Sequence, residues 1–348
     1  MMSVESVCTV KAQPTLDQFR QCNDATAVAA LYGPLDGRVY FVTGGSSGFG
    51  LEQCLALARH GATVIMACRP GAKAEEAAKQ VRAVSVRNAA VHLLPLDLSS
   101  TKSIRECAKL YEALRPQLPH AGLNAFVANA GVLGLPFGAF SADQEPQLQV
   151  NFLGHVLLHE YLRNALEACS DARVVVVASG SHYWLRGPPD LDLSKELPPR
   201  PENYSTAHAY GFSNLCRLLW TRAISKTVKY PVVSLHPACS PGTDAGRNLG
   251  ICALLDVLPK VFFYEWRGFL DAQSVAQGGR TQTFVAIAPL EEITPLSGKF
   301  LSGNPSDGPL GAPVTPSAFA QRDDYAQAVL QFAIEFIAKA KAKAEEVE

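Results

Sequence analysis

The alternation of short Val- and Ile-rich runs with longer amphipathic stretches specifies a doubly wound α/β fold on a mostly parallel sheet. Three observations carry this reading. Six runs between Val39 and Leu235 are almost wholly apolar, as strands covered on both faces must be. Stretches of helical periodicity separate them, so strand and helix alternate as in repeated βαβ units. The first run passes directly into a glycine-rich turn from which a helix departs. With 48% hydrophobic and 18% charged residues among 348, the chain can fill a complete core and is not disordered in bulk.

Residues 1–34 read as an N-terminal extension, with one helix running from an N-cap at Thr15 to Leu31 and stopped by Gly33-Pro34. Strands are expected at 39–43, 63–67, 91–95, 125–128, 173–178 and 232–235, and helices near 50–60, 72–84, 100–114, 144–168 and 207–226. After Pro237 the rhythm breaks into an apolar stretch, a helix near 273–288 and a short strand at 298–301. The domain organisation expected is a single domain over 35–320 with a substrate lid at about 240–272, and a C-terminal amphipathic helix within 321–348.

Composition narrows the function classes. Lys and Arg total 31 against 32 Asp and Glu, a formal charge of -1, so no broad surface attracts nucleic acid. The nine cysteines are scattered and form no C-x-x-C pair, which argues against a disulfide framework and a zinc site and for a reducing compartment. No run reaches the roughly 18 apolar residues of a transmembrane helix. Neither a secretory nor a typical mitochondrial signal is evident; a cytoplasmic location is expected, with a mitochondrial one left open. His155 and His159 have a metal-like spacing but no third ligand, and no metal site is expected.

The turn after the first strand reads Thr43-Gly44-Gly45-Ser46-Ser47-Gly48-Phe49-Gly50. Glycines there let the chain turn sharply and bring its amides close to a diphosphate, which the following helix N-terminus attracts. Gly44, Ser46, Ser47, Gly48, Phe49 and Gly50 are therefore candidate cofactor-binding residues. The second strand ends Met66-Ala67-Cys68-Arg69, where an acid would hold a ribose diol. An acid would repel a 2′-phosphate, whereas Arg69 can bond to it, so the cofactor expected is NADP(H).

The spacing Thr-Gly-x-x-x-Gly-x-Gly, with Asn129-Ala130-Gly131 after the fourth strand, resembles the short-chain dehydrogenase/reductase family. Leu96-Asp97-Leu98, Asn151 in Val150-Asn151-Phe152-Leu153-Gly154-His155, Ser179 after the fifth strand, and Tyr210 in Ala209-Tyr210-Gly211-Phe212-Ser213-Asn214 strengthen the likeness, which covers about residues 36–340. Its flavour is that of the branch with retinol dehydrogenase-like and WW-domain oxidoreductase-like proteins. The resemblance implies a Rossmann fold with a mostly seven-stranded parallel sheet. It also implies an oxidoreductase site: Tyr210 as the hydroxyl acid/base, Ser179 holding the same substrate oxygen, and Asn151 anchoring a water relay. Asp97 and Leu98 would meet the adenine, and Asn129 would fix the cofactor side of the sheet. Hydride transfer to a carbonyl does need a hydroxyl acid/base within hydrogen-bond reach, which Tyr210 can be.

One departure limits what carries over. The resemblance implies Tyr-x-x-x-Lys, and the fifth position here is Asn214. Residues i and i+4 share a helical face, so the absent lysine would have placed a cation beside Tyr210 and favoured its phenolate; Asn214 can bond a ribose hydroxyl but carries no charge. Arg217, at i+7, reads as one turn too far along and as a packing or surface ion-pair residue. Tyr204 with His208 is out of register with Ser179 and makes a poor rival pair. Two smaller departures are Pro237-Ala238, where Pro-Gly is expected, and Asn124, where an acid is.

Two readings follow. The first is an NADP(H)-dependent oxidoreductase of a lipophilic carbonyl or alcohol, weakened by loss of the lysine. The alternative is a non-catalytic NADP(H)-binding subunit of a larger, for example respiratory, complex. A small lipophilic substrate is suggested by the apolar stretch around Leu254, Phe262, Phe263 and Trp266, which could equally face a subunit or a membrane surface. A homodimer through the helices bearing Asn151 and Tyr210 is compatible with their Ala, Leu and Cys content, unless residues 1–34 cover that surface.

Overall fold

The structure is a computed structural model that describes residues 13–86, 89–140, 145–185, 204–240, 243–244, 258 and 272–345. Seven parallel strands lie in the order β3-β2-β1-β4-β5-β6-β7: β1 Val39–Thr43, β2 Thr63–Cys68, β3 Val91–Pro95, β4 Ala125–Ala128, β5 Arg173–Val177, β6 Val232–His236 and β7 Phe300–Ser302. The order reverses between β1 and β4, so the crevice beyond their carboxyl ends is where a ligand binds in a sheet of this kind. Every residue of β1, β2, β4, β5 and β6 is buried, which is why those segments read as unbroken apolar runs.

Helices cover both faces. On one side lie α3 Gly48–Arg59, α4 Ala72–Val84 and α8 Val275–Ile287; on the other lie α5 Thr101–Leu114, α6 Gly154–Glu167 and α7 Thr206–Ile224. Alternate strand residues feed the two cores: Tyr40, Val42 and Met66 point to the first, and Phe41, Ile65 and Phe126 to the second.

The expected N-terminal helix is two helices, α1 Leu16–Arg20 and α2 Ala25–Tyr32. Thr15 caps the first in a capping box, as expected, but the Asp24 side chain accepts from the Ala27 amide and starts a second helix. These helices pack on α3 and α8, with the fully buried Phe19 stacked on Phe284 at 4.2 Å between centroids. They therefore do not cover the helices bearing Asn151 and Tyr210. The helix lying over α7 is C-terminal: α9 Asp323–Glu345 buries Tyr325, Val329, Ala333 and Phe336 against it and pins its start through Asp323 to Arg222.

The single helix expected over 144–168 is also segmented. A turn at Pro146–Leu148 leads into a π-helical turn at Gln149–Leu153 and only then into α6. Buried Glu145 anchors the entry by accepting the Gln147 and Leu148 amides. No helix among the described residues is long and apolar enough to cross a membrane. The lid expected at about 240–272 falls almost entirely outside the described residues.

Candidate active site

A cleft of about 470 Å³ opens along the carboxyl ends of the central strands. At one end it is walled by Gly44, Ser46, Ser47, Gly48 and Phe49 from the β1–α3 turn, Arg69 after β2, and Asp97 and Leu98 after β3. At the other end stand Asn151, Tyr210, Asn214 and Arg217. Residues scattered from 44 to 217 thus meet because parallel strands all deliver their loops to one edge.

The turn is shaped by close approach. Gly44 and Gly48 have φ of 68° and 57°, conformations that disfavour a side chain. Thr43 locks the turn from beneath: its hydroxyl donates to Val127 O and accepts the amides of Asn129 and Ala130. Asn129 Nδ2 donates in turn to Thr43 O at 2.8 Å, so this side chain braces the turn. Asp97 Oδ1 accepts from both the amide and the hydroxyl of Ser99, which orients the carboxylate at the cleft edge.

The helix starts give an independent sign of what the cleft accommodates. Side chains cap α2, α5, α7 and α8, through Asp24, Ser100, Ser205 and Ser274. The two helices that begin at the cleft, α3 and α4, have no side-chain cap. The first turn of α3 also lacks an acid, leaving its amides and the positive dipole end for an external anion. Arg69 makes no hydrogen bond or ion pair among the described residues. Lys73, on the first turn of α4, pairs with Asp244 across the cleft rim. A diphosphate with a further phosphate on the adenosine side fits these donors.

At the far end, the Asn151 side chain is fully committed. Its Oδ1 accepts the Val132 amide at 2.8 Å, and its Nδ2 donates to Val132 O and Ser213 Oγ. Its main-chain carbonyl accepts from Arg217 Nε. Tyr210 stands on α7 against Trp184 and Leu133, an apolar wall. Asn214, one turn on, donates from Nδ2 to Ser181 Oγ and Tyr210 O. Ser179 is buried beside the cleft-lining Ala178 and caps the short helix Gly180–Trp184 by accepting the Ser181 amide.

Arg217 has the packed position that is one of its two expected settings, and it also reaches the cleft. It is neither a surface ion-pair residue nor beyond the site: it is 5% exposed and lines the cleft. Its guanidinium donates to the carbonyls of Asn151, Val177 and Ala130 and lies 3.2 Å from His155 Nδ1. Burial first, and then Arg217, hold the His155 imidazole well below its usual range, hence neutral. The His155 ring lies with Nε2 2.9 Å from Thr43 Oγ1 and Nδ1 3.1 Å from Asn151 O, which ties the turn beneath Gly44 to the π turn. His159 goes elsewhere, bonding the Tyr230 hydroxyl at 2.8 Å. Tyr204 is occupied as a donor to Glu145, away from the cleft walls. The smaller departures also have structural outcomes: Asn124 Oδ1 accepts the Val39 amide, as an acid would, whereas Ala238 is held at φ 130°.

The sequence of residues 38–183 matches the family profile described as short chain dehydrogenase. Over 268 residues the chain is 36% identical to retinol dehydrogenase 12 of Homo sapiens, covering 77% of this chain and 78% of that one. It is 34% identical over 285 residues to the WW domain-containing oxidoreductase of Danio rerio, covering 79% of this chain and 64% of the relative, so it spans less than two thirds of that protein's length. Among solved structures, an uncharacterized protein from Mycobacterium Paratuberculosis aligns with a TM-score of 0.62 at 26% identity, over 89% of this chain and 97% of that one. Identity at this level across most of a relative's length means that the chain belongs to the short-chain dehydrogenase/reductase family, on its retinol dehydrogenase-like branch.

Proposed function

We propose that this chain is an NADP(H)-dependent oxidoreductase acting on a lipophilic carbonyl or alcohol. The observation that carries the reading is the composition of one continuous cleft, with uncapped helix starts and the cations Arg69 and Lys73 at one end and the Tyr210 phenol at the other. The β1–α3 turn holds the diphosphate, Asp97 and Leu98 meet the adenine, and Arg69 with Lys73 takes the 2′-phosphate. When bound, the coenzyme supplies or accepts the hydride. Tyr210 holds the proton that the substrate oxygen gains or loses. Ser179, whose oxygen already accepts the Ser181 amide, retains its O–H as a donor toward the same oxygen. Trp184 and Leu133, packed beside Tyr210, make its surroundings apolar and so favour an apolar substrate body.

A second reading, a non-catalytic NADP(H)-binding subunit of a larger assembly, is favoured by one observation: Asn214 is neutral and its amide is engaged within the protein. Turnover of NADPH with retinal-like, quinone and steroid carbonyls separates the two. Activity in the natural chain that falls about 100-fold or more in Tyr210→Phe supports the enzyme. Silence in the natural chain, with tight NADPH binding and activity restored by Asn214→Lys, supports the subunit.

A further inference from the structure

Arg217 has an unusual setting for a cation. Its three carbonyl partners come from three separate elements: the π turn at Gln149–Leu153, the end of β5 and the loop after β4. The widened turn offsets the helical ladder, which lets the Asn151 carbonyl take a side-chain donor. No carboxylate faces the guanidinium among the described residues. The ionisable groups around it are His155, kept neutral on α6, and Tyr210, two turns earlier on its own helix. Burial pushes Arg217 down to about 10, with Tyr210 acting in the opposite sense, so the guanidinium stays charged at neutral pH.

Burying a charge without a counter-ion is costly, and neutral hydrogen bonds to carbonyls could have been made by a neutral donor. The retained charge therefore has a use nearby, and the titratable group that lines the same cleft from the same helix, two turns earlier, is Tyr210. We propose that Arg217 is the cation that sustains Tyr210 as the proton-transfer group, acting from inside the wall rather than from position 214. It is a positioning residue, acting through Tyr210, and the proposal rests on the oxidoreductase reading above.

The decisive measurement is the ionisation of Tyr210 in the protein without coenzyme, taken as the tyrosinate absorbance of the natural chain minus that of Tyr210→Phe. The expected midpoint in the natural chain lies below the ordinary tyrosine value of about 10, and it rises by about one pH unit or more in Arg217→Gln. Arg217→Lys, which keeps the charge, lies nearer the natural chain. A midpoint at or above about 10 in the natural chain overturns the proposal without any Arg217 variant having to fold. So does an unchanged midpoint in Arg217→Gln. The pH–rate profile gives the second arm, with its limb moving by the same interval in Arg217→Gln and largely recovering in Arg217→Lys. If Tyr210-dependent turnover persists with an unmoved profile, the oxidoreductase reading stands and the role of Arg217 falls. If the natural chain turns nothing over while its Tyr210 midpoint is low and depends on Arg217, the charge pairing stands and the oxidoreductase reading falls.

Discussion

Replacing Gly50 with alanine tests the nucleotide turn directly, because Gly50 lies in the first turn of α3 facing the chain that enters it. An alanine Cβ would lie 2.4 Å from Asn129 Nδ2 and 2.6 Å from Gly44 O. Neither neighbour can easily retreat. Gly44 O belongs to the turn itself, and Asn129 is fixed by its bonds to Thr43. Ordinary carbon contacts begin near 3.5 Å, so turn and helix must separate by about 1 Å. Overpacking of this kind costs about 1–3 kcal/mol, and loosening the Asn129 bond about 1 more, partly offset by the roughly 1 kcal/mol that alanine gains over glycine in a helix. The net loss expected by urea denaturation is about 1–3 kcal/mol. Binding suffers more. The same displacement misaims the amides that would hold a diphosphate, and losing one or two charge-assisted bonds weakens NADPH on the order of 100-fold. Fluorescence titration with NADPH reads this. Gly37→Ala is the control, since φ is 78° but nothing lies within 4 Å; it loses about 1 kcal/mol of stability with unchanged affinity. Gly50→Ala binding NADPH within about two-fold of the natural chain would refute the assignment of the turn.

Arg69→Ala should weaken NADPH by about 10- to 100-fold and leave NADH nearly unaffected, read by parallel titrations; equal losses for both would remove the 2′-phosphate role. Ala238→Gly should stabilise the fold by about 1 kcal/mol in urea, because relief of the strain at φ 130° outweighs the entropy of an added glycine. His182 and His236 are both pushed down to about 4, chiefly by burial. Their folded values lie below the unfolded value of about 6.5, so the unfolded chain takes up protons first as pH falls. Stability should therefore decline between about pH 6.5 and 4, and a His182→Gln variant should show a shallower decline across that window; parallel curves would assign the acid sensitivity elsewhere.

Much of the fold is legible in the sequence because doubly covered strands leave an unmistakable mark: apolar side chains on both faces, bounded by turns. The seven strands, the glycine turn and the cap at Thr15 all follow from local chemistry. What escapes notice is where two local signals compete. The segment 144–168 keeps an apolar helical pattern through a π turn, since one extra residue in a turn barely alters which side chains are buried. Asp24 looks like a solvated charge until a second helix is seen to begin on it. Arg217 is legible as a packing residue but not as part of the cleft wall. Spacing from Tyr210 counted turns along one helix, whereas its partners come from three other segments that sequence distance cannot bring together. A signal was present nonetheless: a charge embedded in the run Leu215-Cys216-Arg217-Leu218-Leu219, on a helix face that must be buried.

The last helix, clamped along α7, ties the far end of the polypeptide to the rod that carries Tyr210, Asn214 and Arg217. Deleting residues from 323 onward would strip apolar cover from that rod and leave greasy surface facing solvent, so a truncation remote from the cleft should reach the chemistry through the scaffold. Any twofold partner approaching from this side meets α9 before it meets α7. Self-association, where it occurs, must either recruit α9 as part of the contact or choose another side of the molecule.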